Sequence, residues 1–496
     1  MDDMDKNKSP GPDGLTLGII RELFFLDPAW FTELFNDCTR QGVFPDFWKI
    51  AKVLLIPKEG KDLSKVSAYR PICLLPTWGK VYDKIIAQRL LYELESKCKL
   101  HRNQFGFRKQ RSTLTALDKF HNFIINAKAK KMINLALSLD ISNAFNSVIW
   151  DDLINCLEED GISVYLIDII KDFLSNRRIY DDINNTEFNY SKGVPQGSCL
   201  GPVLWLIIAD RLLRQMDEQE NIMCTMFADD ILIMSSGTVS YKFTESLVTP
   251  IKVVESWANK YKLKINPTKS KFIMFPYKKD ITHVPRLKMN DIVIKQSRTL
   301  KYLGLLFDER LTWRPHLEGV REKVNYLQNK LYRFSRATWG VKPQVLKEIY
   351  KVAIEKYILY GVEIWFNKTV KISQRLIQIQ RVALVQIAKT YKTVSSEALQ
   401  VLTGLVPLDL VADKEVTKFN LFNRGIPINI KDKEYSFQDF DLVNKLGLIP
   451  WEKGGISWSM DSDPNGRFKK IFTDGSKLNE RVGSGVVCLS EDRDII

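Results

Sequence analysis

From Leu135 to Leu139 the chain reads Leu-Ala-Leu-Ser-Leu, an almost unbroken apolar run that ends on Asp140. A half-exposed strand alternates more strictly, so the run predicts a buried central strand with an acid at its carboxyl end. Beyond it, Phe145, Val148, Ile149, Leu153, Ile154 and Leu157 recur at helical spacing and predict an amphipathic helix packed beneath that strand. Two further apolar runs, Ile222 to Met226 and Ile231 to Met234, flank Phe227-Ala228-Asp229-Asp230. They read as a β-hairpin whose tip carries two adjacent carboxylates. Between strand and hairpin lies Lys192-Gly193-Val194-Pro195-Gln196-Gly197-Ser198-Cys199-Leu200-Gly201-Pro202, a glycine- and proline-rich loop that opens an apolar helix over Val203 to Leu213.

The same patterning divides the rest of the chain. Residues 1 to about 134 mix short strands, such as Val53 to Ile56, with a helix around Gly79 to Leu94. Residues 135 to about 310 alternate strand, helix, helix, hairpin, helix and strand, an α+β arrangement. From Trp313 to about Tyr391 three amphipathic helical stretches follow, broken near Gly340 and Asn367. After Gly404 the periodicity weakens, and 405 to about 465 reads as a connector.

Two adjacent aspartates between apolar strands are costly unless a cation is held there. If the strand ending at Asp140 lies beside the hairpin, Asp140, Asp229 and Asp230 converge. They then form the ligand set that two octahedral Mg²⁺ ions need when substrate phosphates fill the remaining positions. Taken singly, an Asp-Asp turn is more often merely solvated, Asp140 more often caps a helix, and most Gly/Pro loops only turn the chain. The order of all three along one chain favours the metal reading. Glycines in the loop let backbone approach a ligand closely, and the start of the following helix offers N–H groups against which a nucleotide can lie.

These residues resemble the reverse transcriptases of non-LTR (LINE-type) retrotransposons, especially the Jockey-like and I-like groups, along nearly the whole chain. Asn7-Lys8-Ser9-Pro10-Gly11-Pro12-Asp13-Gly14 is similar to the family's opening motif and Tyr69-Arg70-Pro71-Ile72-Cys73-Leu74-Leu75 to its fingers motif. Asn103-Gln104-Phe105-Gly106-Phe107-Arg108 with Ser112-Thr113 matches the next block. Asp140 with Ala144-Phe145, the loop Gly193 to Ser198, and Phe227 to Asp230 match the three central motifs. Leu263 to Phe275, with Asn266, Lys269 and Ser270, and Leu300-Lys301-Tyr302-Leu303-Gly304 resemble the last two. One departure is visible: the family usually continues Ala-Phe-Asp where this chain has Asn146. That position is not a metal ligand in the family, so the expected effect is a local change of hydrogen bonding.

The resemblance implies an α+β right-hand polymerase. Residues 1–134 would form the fingers and part of the palm, 135–310 an antiparallel palm sheet with the active site, 311–395 a helical thumb and 396–465 a connector. It further implies an RNA-directed DNA polymerase in which Asp140, Asp229 and Asp230 hold two Mg²⁺ ions. Arg70 would clamp the triphosphate, Gln196 and Gly197 would help position nucleotide and template, and Lys269 is a candidate phosphate contact. Phe145 would lie under the sugar and exclude a 2′-hydroxyl, although core packing explains it equally well. RNA template, DNA primer, target DNA and dNTP are the implied partners.

Over 466–496, Lys470-Ile471-Phe472-Thr473-Asp474-Gly475-Ser476 and Gly483-Ser484-Gly485-Val486-Val487 resemble the first hairpin of a ribonuclease H domain. Asp474 alone supplies too few ligands for hydrolysis, so a truncated, inactive ribonuclease H start is expected. Family members also carry an amino-terminal endonuclease, so the priming nick is expected from a missing domain or another protein.

Composition agrees. With 73 basic and 59 acidic residues the net charge is +14, which suits a polyanionic partner. Basic residues interleave with aromatics at Phe105, Phe107, Arg108, Lys109 and Arg111, and again at Trp313, Arg314, Tyr326, Lys330, Tyr332 and Arg333. Such mixtures neutralise phosphates and stack on bases, though at least half of these rings are expected in the core. At 496 residues the chain should divide into several lobes. Seven cysteines without a Cys-x-x-Cys pair and four histidines without ligand spacing support neither a zinc site nor a disulfide framework. No apolar stretch approaches the roughly 20 residues of a bilayer span, so no membrane partner is expected. Chromosomal DNA as a substrate points to an intracellular, nuclear location.

Two other readings stay open at this level. One is an inert or co-opted nucleic-acid-binding remnant; the other is a different right-hand polymerase, such as a group II intron maturase or an RNA-copying RNA polymerase. Mg²⁺-dependent extension of a primed RNA template discriminates against the first, and incorporation of deoxy- against ribonucleotides decides the second.

Overall fold

In the computed structural model the apolar run around Leu137 lies at the centre of a six-stranded sheet. The structure describes residues 4, 9–58, 60–65, 68–181, 185–217, 222–238, 242–277, 283–335, 340–430 and 433–440, and the backbone of 470–478 and 481–489. In chain order its first strands are β1 (Ile50–Pro57), β2 (Tyr69–Leu74), β3 (Ile133–Ser142), β4 (Arg178–Asp181), β5 (Thr186–Asn189), β6 (Ile222–Phe227), β7 (Asp230–Gly237), β8 (Lys264–Ile265) and β9 (Lys271–Phe275). The main sheet runs Lys295–Gln296, β9, β3, β7, β6, with β8 paired to the end of β3. Its pairings are antiparallel except that Lys295–Gln296 runs parallel to β9.

The alternation along β3 sorts its side chains between two cores. Ile133, Leu135, Leu137, Leu139 and Ile141 pack with helices Thr77–Ser96, Trp150–Glu159, Val164–Leu174, Leu200–Asp217 and Val248–Lys260. On the opposite face Ala136, with Leu232, Met234, Ile273 and Phe275, meets helices Thr113–Ala129, Arg314–Phe334 and Val370–Ala388. Covering both faces is why this strand reads as a continuous apolar run. A smaller sheet of order β2-β1-β4-β5 stands apart from the first.

Three expectations about elements change. The helix expected over Phe145 to Leu157 is broken into Ala144–Ser147 and Trp150–Glu159. Val148 and Ile149 leave the helix to meet the glycine loop: the Gly193 N–H donates to the Val148 carbonyl at 2.6 Å, and Ile149 bridges Lys192. The region read as a connector holds a helix, Leu408–Asn423, whose Leu408 and Ala412 join the second core with Leu405. Its apolar positions are interleaved with Asp409, Asp413, Lys414 and Glu415, which hides the period in the sequence. The middle stretch of the three expected after Trp313 begins as helix Pro343–Ile349 and widens to a π-turn over Tyr350–Glu355.

The chain forms two compact units, Met1–Phe419 and Asn420–Ile496. In the second, Ile428–Ile430 pairs with Lys433–Tyr435, and the rings of Phe437 and Phe440 lie against Phe422. Lys470–Leu478 pairs antiparallel with Arg481–Leu489, placing Asp474 opposite Gly485. The hairpin expected there is thus formed in the backbone. Part of the connector, 441–465, and residues 466–469 and 490–496 of the last segment lie outside the described residues.

Candidate active site

The register of the main sheet decides where the acids go. Asp140 on β3 is the direct cross-strand partner of Asp230, the first residue of β7. Directly opposed side chains on an antiparallel pair have Cβ atoms about 4.5–5.5 Å apart. Asp229 completes the turn between β6 and β7, where Ala228 takes the left-handed conformation at φ +56°. The three acids expected to converge therefore stand together at one end of the sheet.

Like charges so placed repel. Burial, then the charge of Asp140, raises Asp229 above the usual carboxylate range. Protein crowded around the Asp230 carboxyl, then the charges of Asp229 and Asp140, push it up to about 6 even though the residue keeps a face to solvent. Oδ2 of Asp140 is buried without a hydrogen-bond partner, and the nearest cation is the Lys269 ammonium at 3.4 Å. Among the described residues, no three His, Cys, Asp or Glu side chains are gathered into a ready metal-holding group. The donors nonetheless suit a hard divalent cation: carboxylate oxygens only, mutually repelling, with one oxygen unsatisfied.

The backbone around Asp140 is pinned from the β8–β9 connection. Asn266 N–H donates to the Asp140 carbonyl at 2.8 Å, and the Asp140 N–H donates to Ser270 Oγ at 3.3 Å. The acidic turn is clamped by the loop Asn103 to Gly106. Met226 N–H donates to the Asn103 carbonyl at 3.0 Å, and Phe105 N–H to the Met226 carbonyl at 2.9 Å. A side chain at Gly106 would collide with the backbone of Ala228, so only glycine lets this loop close on the turn. Beneath, the Trp205 indole donates to the Ala228 carbonyl at 3.0 Å.

The glycine-rich loop packs between β2 and the Asn146 turn. Cys73 N–H donates to the Gln196 carbonyl at 2.6 Å, and Gln196 Nε2 donates to Asn146 Oδ1 at 3.2 Å. Asn146, the departure from the family pattern, thus accepts a hydrogen bond from the loop. Gly197, at φ +125°, lies so close to the Cys73 carbonyl that a Cβ has no room. Phe145 is half-buried, its ring 5.7 Å from Trp205 and 6.1 Å from Phe107. Arg70 is exposed on β2 opposite Ile56; its strand meets the loop, but among the described residues it pairs with none of the three acids.

One expectation is overturned. The start of helix Leu200–Asp217 does not offer free N–H groups to a nucleotide. Asp83, fully buried in helix Thr77–Ser96, accepts from Ser198 Oγ at 2.8 Å, Cys199 N at 2.5 Å and Leu200 N at 3.1 Å, and Ser198 Oγ takes the N–H of Gly201. The basic-aromatic cluster at 105–111 is also partly structural: Phe105 is buried, and Arg108 makes a two-bond pair with Glu95. Sequence reasoning missed Asp83 and Trp205. An acid on the apolar face of Val81, Tyr82 and Ile86 was the available signal for the first; nothing marked the second among its apolar neighbours.

An antiparallel sheet backed by helices, with Asp140 set against Asp230 where a strand meets a hairpin and a glycine loop nearby, is the α+β arrangement expected of a right-hand polymerase palm. The profile of the reverse transcriptase (RNA-dependent DNA polymerase) family matches residues 56–307, and the chain belongs to that family. It is 30% identical over 455 residues to the putative 115 kDa protein in type-1 retrotransposable element R1DM of Drosophila melanogaster, covering 91% of this chain and 43% of that protein. It is 27% identical over 372 residues to the RNA-directed DNA polymerase from mobile element jockey of the same fly, covering 72% and 40%. The chain thus spans less than half the length of these curated relatives, which are of the non-LTR retrotransposon kind that the sequence resembles. A solved telomerase from Candida tropicalis is similar over 82% of this chain and 66% of that one, with TM-score 0.43 and 14% identity.

Proposed function

We propose that this chain is the RNA-directed DNA polymerase of a non-LTR retrotransposon, extending a primer 3′-hydroxyl with deoxynucleotides along an RNA template. The observation that carries the reading is the register that sets Asp140 against Asp230 with Asp229 in the adjoining turn. In this reading Asp140 and Asp229 hold two Mg²⁺ ions with the help of Asp230. When bound, the ions would supply activation of the attacking hydroxyl and neutralisation of the departing pyrophosphate.

The chain's own residues do the positioning. Asn266 and Ser270 fix the backbone of Asp140, and the loop at Gly106 fixes the turn. Lys269, beside Asp140, is placed to exchange its carboxylate partner for a phosphate. Gln196 and Gly197, backed by β2, form the surface against which nucleotide and template lie, with Arg70 on the same strand reaching the triphosphate. The ring of Phe145 lies where the sugar passes. Residues 1–134 act as fingers and part of the palm, 135–310 as palm and 311–395 as thumb. The hairpin at 470–489 is read as the opening of a ribonuclease H fold; its Asp474 is one ligand, so hydrolysis there needs further carboxylates. Target DNA in chromosomes places the protein in the nucleus.

The test is Mg²⁺-dependent extension of a DNA primer on an RNA template by purified protein, with dNTP and NTP supplied separately. Deoxynucleotide incorporation that stops on removal of the divalent cation is expected. No extension, or preferential use of ribonucleotides, rejects the reading.

A further inference from the structure

Trp205 joins two parts of the site that the sequence treats separately. It is fully buried in helix Leu200–Asp217, and its indole N–H, a donor only, is spent on the carbonyl of Ala228. Ala228 carries a Cβ yet holds φ +56°, a conformation that neighbouring structure must impose. The clamp from Asn103 to Gly106 holds Met226 and closes on the backbone N of Ala228, while the buried indole holds the Ala228 carbonyl. The same ring lies 5.7 Å from Phe145, at 44° between planes. The start of its helix is tied down by Asp83 directly after Gln196 and Gly197.

We propose that Trp205 is a positioning residue with two separable tasks: its N–H sets the Asp229–Asp230 turn, and its ring supports Phe145 at the nucleotide sugar. This rests on the polymerase reading above. Phenylalanine keeps most of the ring and removes the donor; leucine removes both.

Trp205→Phe is expected to lower kcat for primer extension about tenfold, the loss of one well-placed hydrogen bond, with the dNTP KM and template–primer affinity within about twofold of wild type. Its discrimination between deoxy- and ribonucleotides should be retained. Amide exchange of the segment Phe227 to Ile231 should become faster. Trp205→Leu should show the same losses and, in addition, admit ribonucleotides. The control is Trp257→Phe, which also removes a buried indole N–H bonded to the backbone, but at the Ile208 carbonyl of this helix, 3.0 Å away, and not at the acidic turn. It should leave kcat and the exchange of the turn unchanged.

Unchanged kcat and exchange in Trp205→Phe overturn the role of the N–H, as does an equal loss in Trp257→Phe. Retained sugar discrimination in Trp205→Leu overturns the role of the ring. A wild-type protein silent in extension rejects the polymerase reading instead, and the exchange comparison then decides alone whether the indole holds the turn.

Discussion

Burial first, and then the charge of Asp140, raises Asp229, and burial followed by the charges of Asp229 and Asp140 raises Asp230. Replacing both with Ala should abolish synthesis, a loss of about a thousandfold or more, while RNA binding persists in a filter-retention assay; undiminished synthesis would remove the metal-site assignment. Phe145→Ala should admit ribonucleotides in primer extension, and unchanged sugar selection would return Phe145 to the core as one more packed ring. The meeting of Asp140 and Asp230 was legible in the sequence because each stands at the end of an apolar run that becomes one of two neighbouring strands. Trp205 was not, since an indole within an apolar helix looks the same whether its N–H meets the acidic turn or any other carbonyl. Lys269 lay between these cases: its position was visible, its pairing with Asp140 was not.

At the level of elements, strands were easier to foresee than the breaks in helices. β3 and the β6–β7 hairpin follow from apolar runs that are buried on both faces, and Leu137→Ala in that strand should cost about 2–5 kcal/mol in urea unfolding. The split of the Phe145 to Leu157 helix depends on Val148 pairing with Gly193, a contact 45 residues away that local periodicity does not encode. The same holds for Asp83, which joins helix Thr77–Ser96 to the helix that follows the glycine loop. Burial pushes Asp83 up from 3.8 to about 6 despite its hydrogen bonds to Ser198, Cys199 and Leu200. The unfolded chain therefore ionises this acid before the native one does, so its contribution lowers stability as pH rises from about 4 to about 6 and is constant above. Unfolding measured across that range should show a smaller fall for Asp83→Asn than for wild type; parallel curves would mean that Asp83 ionises alike in both states.

On the scale of the molecule, a charge of +14 and a site at one end of an antiparallel sheet bear on how nucleic acid is held. Affinity for a primed template should fall steeply as salt rises from about 50 to 200 mM, because neutralised phosphates release counterions; a flat salt response would deny the electrostatic share of binding. The α+β class was legible because the order of apolar runs and acids follows the order of strands and turn, and the right-hand class followed from the resemblance to the reverse transcriptases. What lay beyond reading was the boundary at Phe419 and the helix Leu408–Asn423, where charged residues mask the apolar face that packs on the second core.

β6 is the outermost strand on its side of the main sheet, and such rims invite strands from other molecules. Here Met226 gives both its N–H and its carbonyl to the Asn103–Phe105 loop. The clamp on the acidic turn is therefore also a guard against self-association: near the acids, Met226 has already spent both backbone groups that a stray chain would zip onto, and a protein whose loop is loosened should scatter more light at rising concentration as well as lose its turn.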